Sequence, residues 1–178
     1  MKFEPTPLKD AWIVKLEPIG DDRGYFARAF CRQEFEARGI AFDVAQCNTS
    51  LNQAAGTLRG LHYQVDPAPE AKFMRCVRGA MYDVIVDMRP DSPTYRRHFG
   101  IELSAENHTM LYVPPLFAHG FQTLAPDTQT YYLVDAAYAP ECERGVRYND
   151  PLLGIEWPLP VEEISEKDGN WPLLEKLS

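Results

Sequence analysis

His62 is the residue around which this chain can organise a reaction. It lies two residues past a glycine in Gly56-Thr57-Leu58-Arg59-Gly60-Leu61-His62-Tyr63-Gln64, a stretch that reads as a strand. Imidazole is the side chain whose ordinary pKa lies nearest neutrality, so it can accept a proton at working pH. Arg59 adds a rigid fork of donors suited to phosphate oxygens. In a regular strand Gly60, His62 and Gln64 share one face and Arg59 points to the other. For base and anion clamp to reach one pocket, the strand must start, bend or bulge near Gly60, a common use of strand glycine. The bland alternative for the same residues is a hydrogen-bonded structural histidine beside a surface arginine.

Other residues suit the same chemistry. Lys72 comes ten residues after His62, at the start of the next strand. A second histidine, His119, follows Pro114-Pro115 and precedes Gly120. Tyr131-Tyr132 sits in a later strand, and Ser165-Glu166-Lys167-Asp168 lies near the C-terminus. Read singly, Lys72 is a solvated charge, Tyr132 a core residue and Asp168 a helix cap.

The elements that must position these groups are mostly strands. Residues 11–16, 72–78, 81–88, 95–103, 109–113, 119–124 and 128–134 have strand composition, with prolines falling between the runs. Within 81–88, Tyr82, Val84, Val86 and Met88 form an apolar face, and Asp83 and Asp87 lie on the other, a period of two. Gly79-Ala80 reads as a tight turn and residues 20–24 as another. Residues 25–30 are extended and aromatic. A helix is predicted over 32–38, ending at Gly39, and one short helix within 162–175. Many short strands with regularly spaced turns predict an all-β sandwich or barrel, a jelly roll above all, as one domain over residues 1–178.

Composition narrows the function. Of 178 residues, 45% are hydrophobic and 25% charged, as in ordinary globular proteins. A net charge of −8 argues against nucleic acid as a partner, though a local arginine and lysine cluster can still hold a small anion. No apolar run is long enough to span a membrane and no signal peptide is evident, so a cytoplasmic location is expected. The four scattered cysteines, Cys31, Cys47, Cys76 and Cys142, fit free thiols in a reducing compartment.

Taken together, the motifs resemble the dTDP-4-dehydrorhamnose 3,5-epimerase family of cupin-type nucleotide-sugar epimerases. The resemblance runs in order through Asp22-Arg23-Gly24, Gln46-Cys47-Asn48-Thr49-Ser50, the 56–64 motif, Lys72, residues 82–89, Ser92-Pro93-Thr94, residues 103–107 and 117–121, Asn149-Asp150-Pro151, residues 155–158, and 165–168. It implies a cupin-type jelly roll (double-stranded β-helix) that needs no cofactor and no metal. The substrate it implies is a nucleotide-diphosphate 4-keto-6-deoxyhexose. Protons at C3 and C5 of such a sugar are acidified by the adjacent carbonyl. Inversion requires a base on one face, an acid on the other and positive charge at the enolate oxygen. The family match makes His62 the base, Asp168 its orienting carboxylate, Lys72 the enolate stabiliser and Tyr132 the acid. His119 lines the sugar pocket, and Arg23, Gln46, Asn48, Arg59, Glu143 and Lys167 match positions that hold the nucleotide diphosphate or sugar. Tyr138 matches the position that stacks on the base. A homodimer is also implied, with the N-terminal segment of each subunit completing its partner's site.

Two positions depart from the family pattern. Arg28 stands where a glutamate commonly lies near the base, which bears on nucleotide choice and admits CDP or GDP. Pro115-Leu116 replaces Glu-Gly in the turn before His119, which alters a turn beside the pocket. Competing readings are a mono-epimerase or keto-isomerase on another nucleotide sugar, a metal-dependent cupin and a non-catalytic sugar-binding cupin. The metal reading lacks its second histidine, because Gln64 occupies that place and Lys72 adds positive charge nearby.

Overall fold

The computed structural model describes residues 1–175. Its strands are β1 (Lys2–Pro5), β2 (Trp12–Lys15), β3 (Ile19–Asp21), β4 (Gly24–Phe26), β5 (Gln46–Asn52), β6 (Thr57–Gln64), β7 (Lys72–Arg78), β8 (Ala80–Asp87), β9 (His98–Ser104), β10 (Thr109–Val113), β11 (Phe117–Thr123), β12 (Thr128–Val134), β13 (Glu143–Gly145) and β14 (Glu163–Ile164). Helix α1 (Arg32–Glu36) follows β4, and α2 (Glu166–Gly169) follows β14. One sheet has the order β1-β2-β10-β7-β12-β5 and the other β13-β6-β11-β8-β9, with β14 parallel to β6. Strands β3 and β4 form a separate hairpin. The fold is a cupin-type jelly roll.

Apolar residues from facing strands fill the space between the sheets, among them Met74, Met81, Ile85, Leu103, Leu111, Phe117 and Phe121. A second core lies where α1 packs Phe35 against Phe42, Phe73 and Tyr112. The outer face of the second sheet is covered too, since Leu61, Val84, Val86 and Ala118 pack against Val146 and Leu153. This layering corrects the one-faced reading of β8. Asp83 and Asp87 are fully buried, because a central strand with both faces covered has no wet side. Each carboxylate is partnered: Asp83 with His119, and Asp87 with Arg89, Ser92 and Thr94.

The expected irregularity at Gly60 is present. His119 pairs with His62 and Phe121 with Arg59, so Gly60 and Leu61 together oppose Gly120 in a β-bulge. Gly60 has φ +118, and a Cβ there would lie 2.5 Å from the Gly120 Cα. Leu116 keeps a left-handed φ of +63 in the turn before β11, where glycine would avoid a cost of about 1 kcal/mol. Because the group opposing Gly60 is backbone, Gly60→Ala should cost at least about 2 kcal/mol. Urea unfolding measures this, and near-wild-type stability would contradict the close approach.

Candidate active site

The site is built between the sheets, at the level of His62. A cavity of about 470 Å³ is lined by Gln46, Asn48, His62, Tyr63, Gln64, Glu70, Lys72, Tyr132, Tyr138 and Glu143. A second, of about 210 Å³, adjoins it and is lined by residues including Arg59, His119 and Phe121. His62, Lys72 and Tyr132 belong to the walls of both. The bulge thus resolves the strand-parity problem, bringing Arg59 and His62 to one cavity wall.

His62 is held from behind. Its Nε2 lies 2.6 Å from Asp168 Oδ1, and Asp168 Oδ2 accepts the Gly60 N–H at 3.1 Å. Asp168 itself is 4% exposed, near the start of α2, where Ser165 Oγ caps the helix by accepting the Asp168 N–H at 3.1 Å. Ser165, then, is the cap, which frees the Asp168 side chain for the histidine. Burial alone would push the Asp168 carboxyl up. Hydrogen bonding and charge from His62, with the Gly60 N–H, outweigh this and hold it below the usual carboxylate range. An ionised Asp168 can only accept, so His62 Nε2 carries the hydrogen of this bond, and in the neutral imidazole the lone pair falls to Nδ1.

Lys72 and Tyr132 come from the opposite sheet, on neighbouring strands β7 and β12. Burial pushes the Lys72 ammonium down to about 8, with the Glu143 and Asp135 carboxylates opposing the fall. Its Nζ is in direct contact with Glu70. Tyr132 is also half-buried, and burial raises its phenol above the ordinary value, against the opposing charge of Arg59. It therefore remains a proton donor at neutral pH.

The remaining expected residues fall in three groups. Arg59 is anchored through Nε to Asn52 Oδ1 at 2.7 Å, and His119 Nε2 lies 2.7 Å from Asp83 Oδ1. At the outer rim, Glu143 Oε2 accepts from Lys167 Nζ at 2.5 Å and from the Tyr138 hydroxyl at 3.1 Å. Gln46 Oε1 accepts the Tyr138 N–H at 2.8 Å, leaving the Tyr138 ring 56% exposed beside the cavity. Arg23 and Arg28 are not brought to the cavity within one chain. Arg23 is bonded to Asp21 at 2.5 Å on the β3–β4 hairpin, and Arg28 to Glu34 at 3.2 Å.

Glu70 and Asp83 are wall or supporting residues that motif reading missed. Glu70 stands two residues before Lys72, a spacing that puts both on one side of an extended chain, but nothing in the sequence marks it as buried. Gln64, in the place of a cupin metal ligand, spends its amide on loop backbone: Nε2 donates to Ala68 O at 2.9 Å and Oε1 accepts the Ala139 N–H at 2.7 Å. Among the described residues, no cluster of three or more His, Cys, Asp and Glu side chains could hold a metal ion.

Comparison with known proteins decides the family. The family profile of dTDP-4-dehydrorhamnose 3,5-epimerase matches residues 5–176. The chain belongs to this family. It is an enzyme of the isomerase class. It is 42% identical over 175 residues to the dTDP-4-dehydrorhamnose 3,5-epimerase of Sinorhizobium fredii, covering 98% of this chain and 90% of the relative. The crystal structure of the Bacillus anthracis 3,5-epimerase, with TDP and PPi bound, superposes with a TM-score of 0.94 at 43% identity, covering 97% of this chain and 99% of that one. ChmJ of Streptomyces bikiniensis, a 3'-monoepimerase in complex with dTDP-quinovose, superposes with a TM-score of 0.88 at 37% identity, covering 95% and 86%.

Proposed function

We propose that the protein epimerises a dTDP-linked 4-keto-6-deoxyhexose at C3 and C5 through enolate intermediates. The observation that carries this reading is the meeting of His62, Lys72 and Tyr132 in one wall region, with Asp168 behind the histidine. His62 comes from one sheet, while Tyr132 and Lys72 come from the other. A sugar ring lying between the sheets would present one face to a base and the opposite face to an acid.

In this reading His62 Nδ1 removes the proton next to the C4 carbonyl, and Asp168 stabilises the resulting imidazolium without taking its proton. Negative charge develops on the C4 oxygen, where the Lys72 ammonium meets it in a site shielded from water. Tyr132 then delivers a proton to the other face, and the centre is inverted. His119 and Arg59 line the inner cavity around the sugar. Gln46, Asn48, Glu143 and Lys167 form the outer cavity and rim for the nucleotide diphosphate, with Tyr138 stacking on the base.

A narrower outcome also has support, because the ChmJ relative is a 3'-monoepimerase on the same fold. The experiment that separates the two is incubation with dTDP-, CDP- and GDP-4-keto-6-deoxyglucose in D2O, followed by proton NMR. Exchange and inversion at C3 and C5 of the dTDP sugar are expected. Exchange at C3 alone would make the protein a mono-epimerase, and preferential turnover of the CDP or GDP sugar would contradict the dTDP assignment.

We further propose that the working unit is a cytoplasmic homodimer in which subunits exchange their β3–β4 segments. The cavity's lysines are already matched, Lys72 with Glu70 and Lys167 with Glu143, so a diphosphate calls for additional cations. Arg23 and Arg28 stand on or just after a hairpin whose Ile19, Tyr25 and Phe26 are 74%, 53% and 69% exposed. Burial of these side chains against a second copy would seat both arginines at the partner's site. Sedimentation should show a dimer at micromolar concentration. Mixing separately inactive Arg23→Ala and His62→Ala subunits should restore about a quarter of wild-type activity, since half the dimers would then hold one intact site. An active monomer, or mixing without recovery, would contradict shared sites.

A further inference from the structure

Glu70 is the acidic group closest to Lys72. It is 9% exposed, it lines the same cavity as His62 and Tyr132, and its Oε1 is in direct contact with Lys72 Nζ. A lysine buried this deeply has two chemical forms open to it. As a neutral amine it would be a base or nucleophile. As an ammonium it can meet an oxyanion, the role given to it above.

The groups facing Lys72 decide which form prevails. They are the carboxylates of Glu70 just before β7, Glu143 on β13 and Asp135 after β12, together with the Tyr132 phenol on β12 and the His62 imidazole on β6. Glu143 is engaged by Lys167 and Tyr138. Asp135 Oδ1 accepts the Ala71 N–H at 2.7 Å. Among the described residues, Glu70 is the group bonded to Nζ itself. Burial drives the lysine down to about 8 against the pull of Glu143 and Asp135, and the Glu70 carboxylate in contact with Nζ favours the ammonium further, which bears on its charge at mildly alkaline pH.

We propose that Glu70 is a positioning residue for the reaction: its buried carboxylate keeps Lys72 protonated and fixed in the cavity wall, ready for the enolate oxygen. This inference rests on the enolate role assigned to Lys72. It also explains why a pocket built for an anionic substrate has a carboxylate in its wall, where on simple charge grounds it would weaken binding. The cost in substrate repulsion is offset by a cation whose charge survives burial.

The test is the isosteric variant Glu70→Gln. A partner that favours the ammonium raises the lysine's pKa, so removing it must move loss of charge to lower pH. The alkaline limb of kcat/KM should shift downward by about one unit or more. The ¹³Cε resonance of Lys72, assigned with Lys72→Met, should titrate at correspondingly lower pH in the substrate-free enzyme. Should Glu70→Gln fold poorly, Glu70→Asp carries the same two readouts, with a smaller shift expected. Lys72 titrating at the wild-type pH in the variant that folds would overturn the proposal. A Lys72→Met enzyme with wild-type activity would instead sink the enolate role, while the NMR titration would still decide whether Glu70 holds the proton.

Discussion

One carboxylate joins His62 to the fold. Asp168 receives His62 through one oxygen and the backbone of the Gly60 bulge through the other. The bulge is the irregularity that lets Arg59 and His62 line adjoining cavities from one strand. The C-terminal segment brings the carboxylate there by running parallel to β6 through β14, then turning into α2 under the Ser165 cap. Without the carboxylate, the Gly60 N–H would be left buried and unpaired, at a cost of about 1–3 kcal/mol, and the imidazole would lose what sets its tautomer. A short polar stretch near the end of the chain is thereby tied to a glycine more than a hundred residues earlier.

The same economy of buried charge runs through the barrel. Asp87 is fully buried, but it accepts from Arg89, Ser92 and Thr94 and so closes the loop after β8. Asp83 steadies His119 on the neighbouring strand. Removing one partner from such a pair strands the other in a poorly solvated interior, a loss of about 3–5 kcal/mol, so these pairs fix side-chain geometry as much as they add stability. The proposed reaction needs that fixity, because a base and an acid on opposite sheets are useful only if neither drifts.

The parts of the fold legible in the sequence are those where side-chain alternation and turn chemistry agree. Residues 72–78, 109–113 and 128–134 form strands with the expected bounds, and Gly79 makes its turn at φ +73. The predicted helix at 32–38 forms over Arg32–Glu36, and Gly39 takes φ +74. Strand β5 was not evident from propensity, because Gln46-Cys47-Asn48-Thr49-Ser50 is polar. Its pairing with β12 and its place at the cavity wall make it a strand. Strands β13 and β14 are too short to show a period. In the site, His62, Lys72, Tyr132 and Asp168 were legible as a set through their motif context. Glu70 and Asp83 were not, since a lone acidic residue carries no mark of whether it is buried. Arg23 and Arg28 lie away from the cavity, paired with Asp21 and Glu34.

The central claim is that His62 and Tyr132 act on opposite faces of the sugar, and one comparison tests it most directly. Deuterium exchange and inversion at C3 and C5 should be followed together by NMR in D2O for the wild type, His62→Ala and Tyr132→Phe. The account predicts that His62→Ala loses both, by roughly a hundred- to ten-thousand-fold. Tyr132→Phe, with base and Lys72 intact, should keep exchange on the original face while losing inversion. Wild-type exchange in His62→Ala, or inversion that persists in Tyr132→Phe, would contradict it.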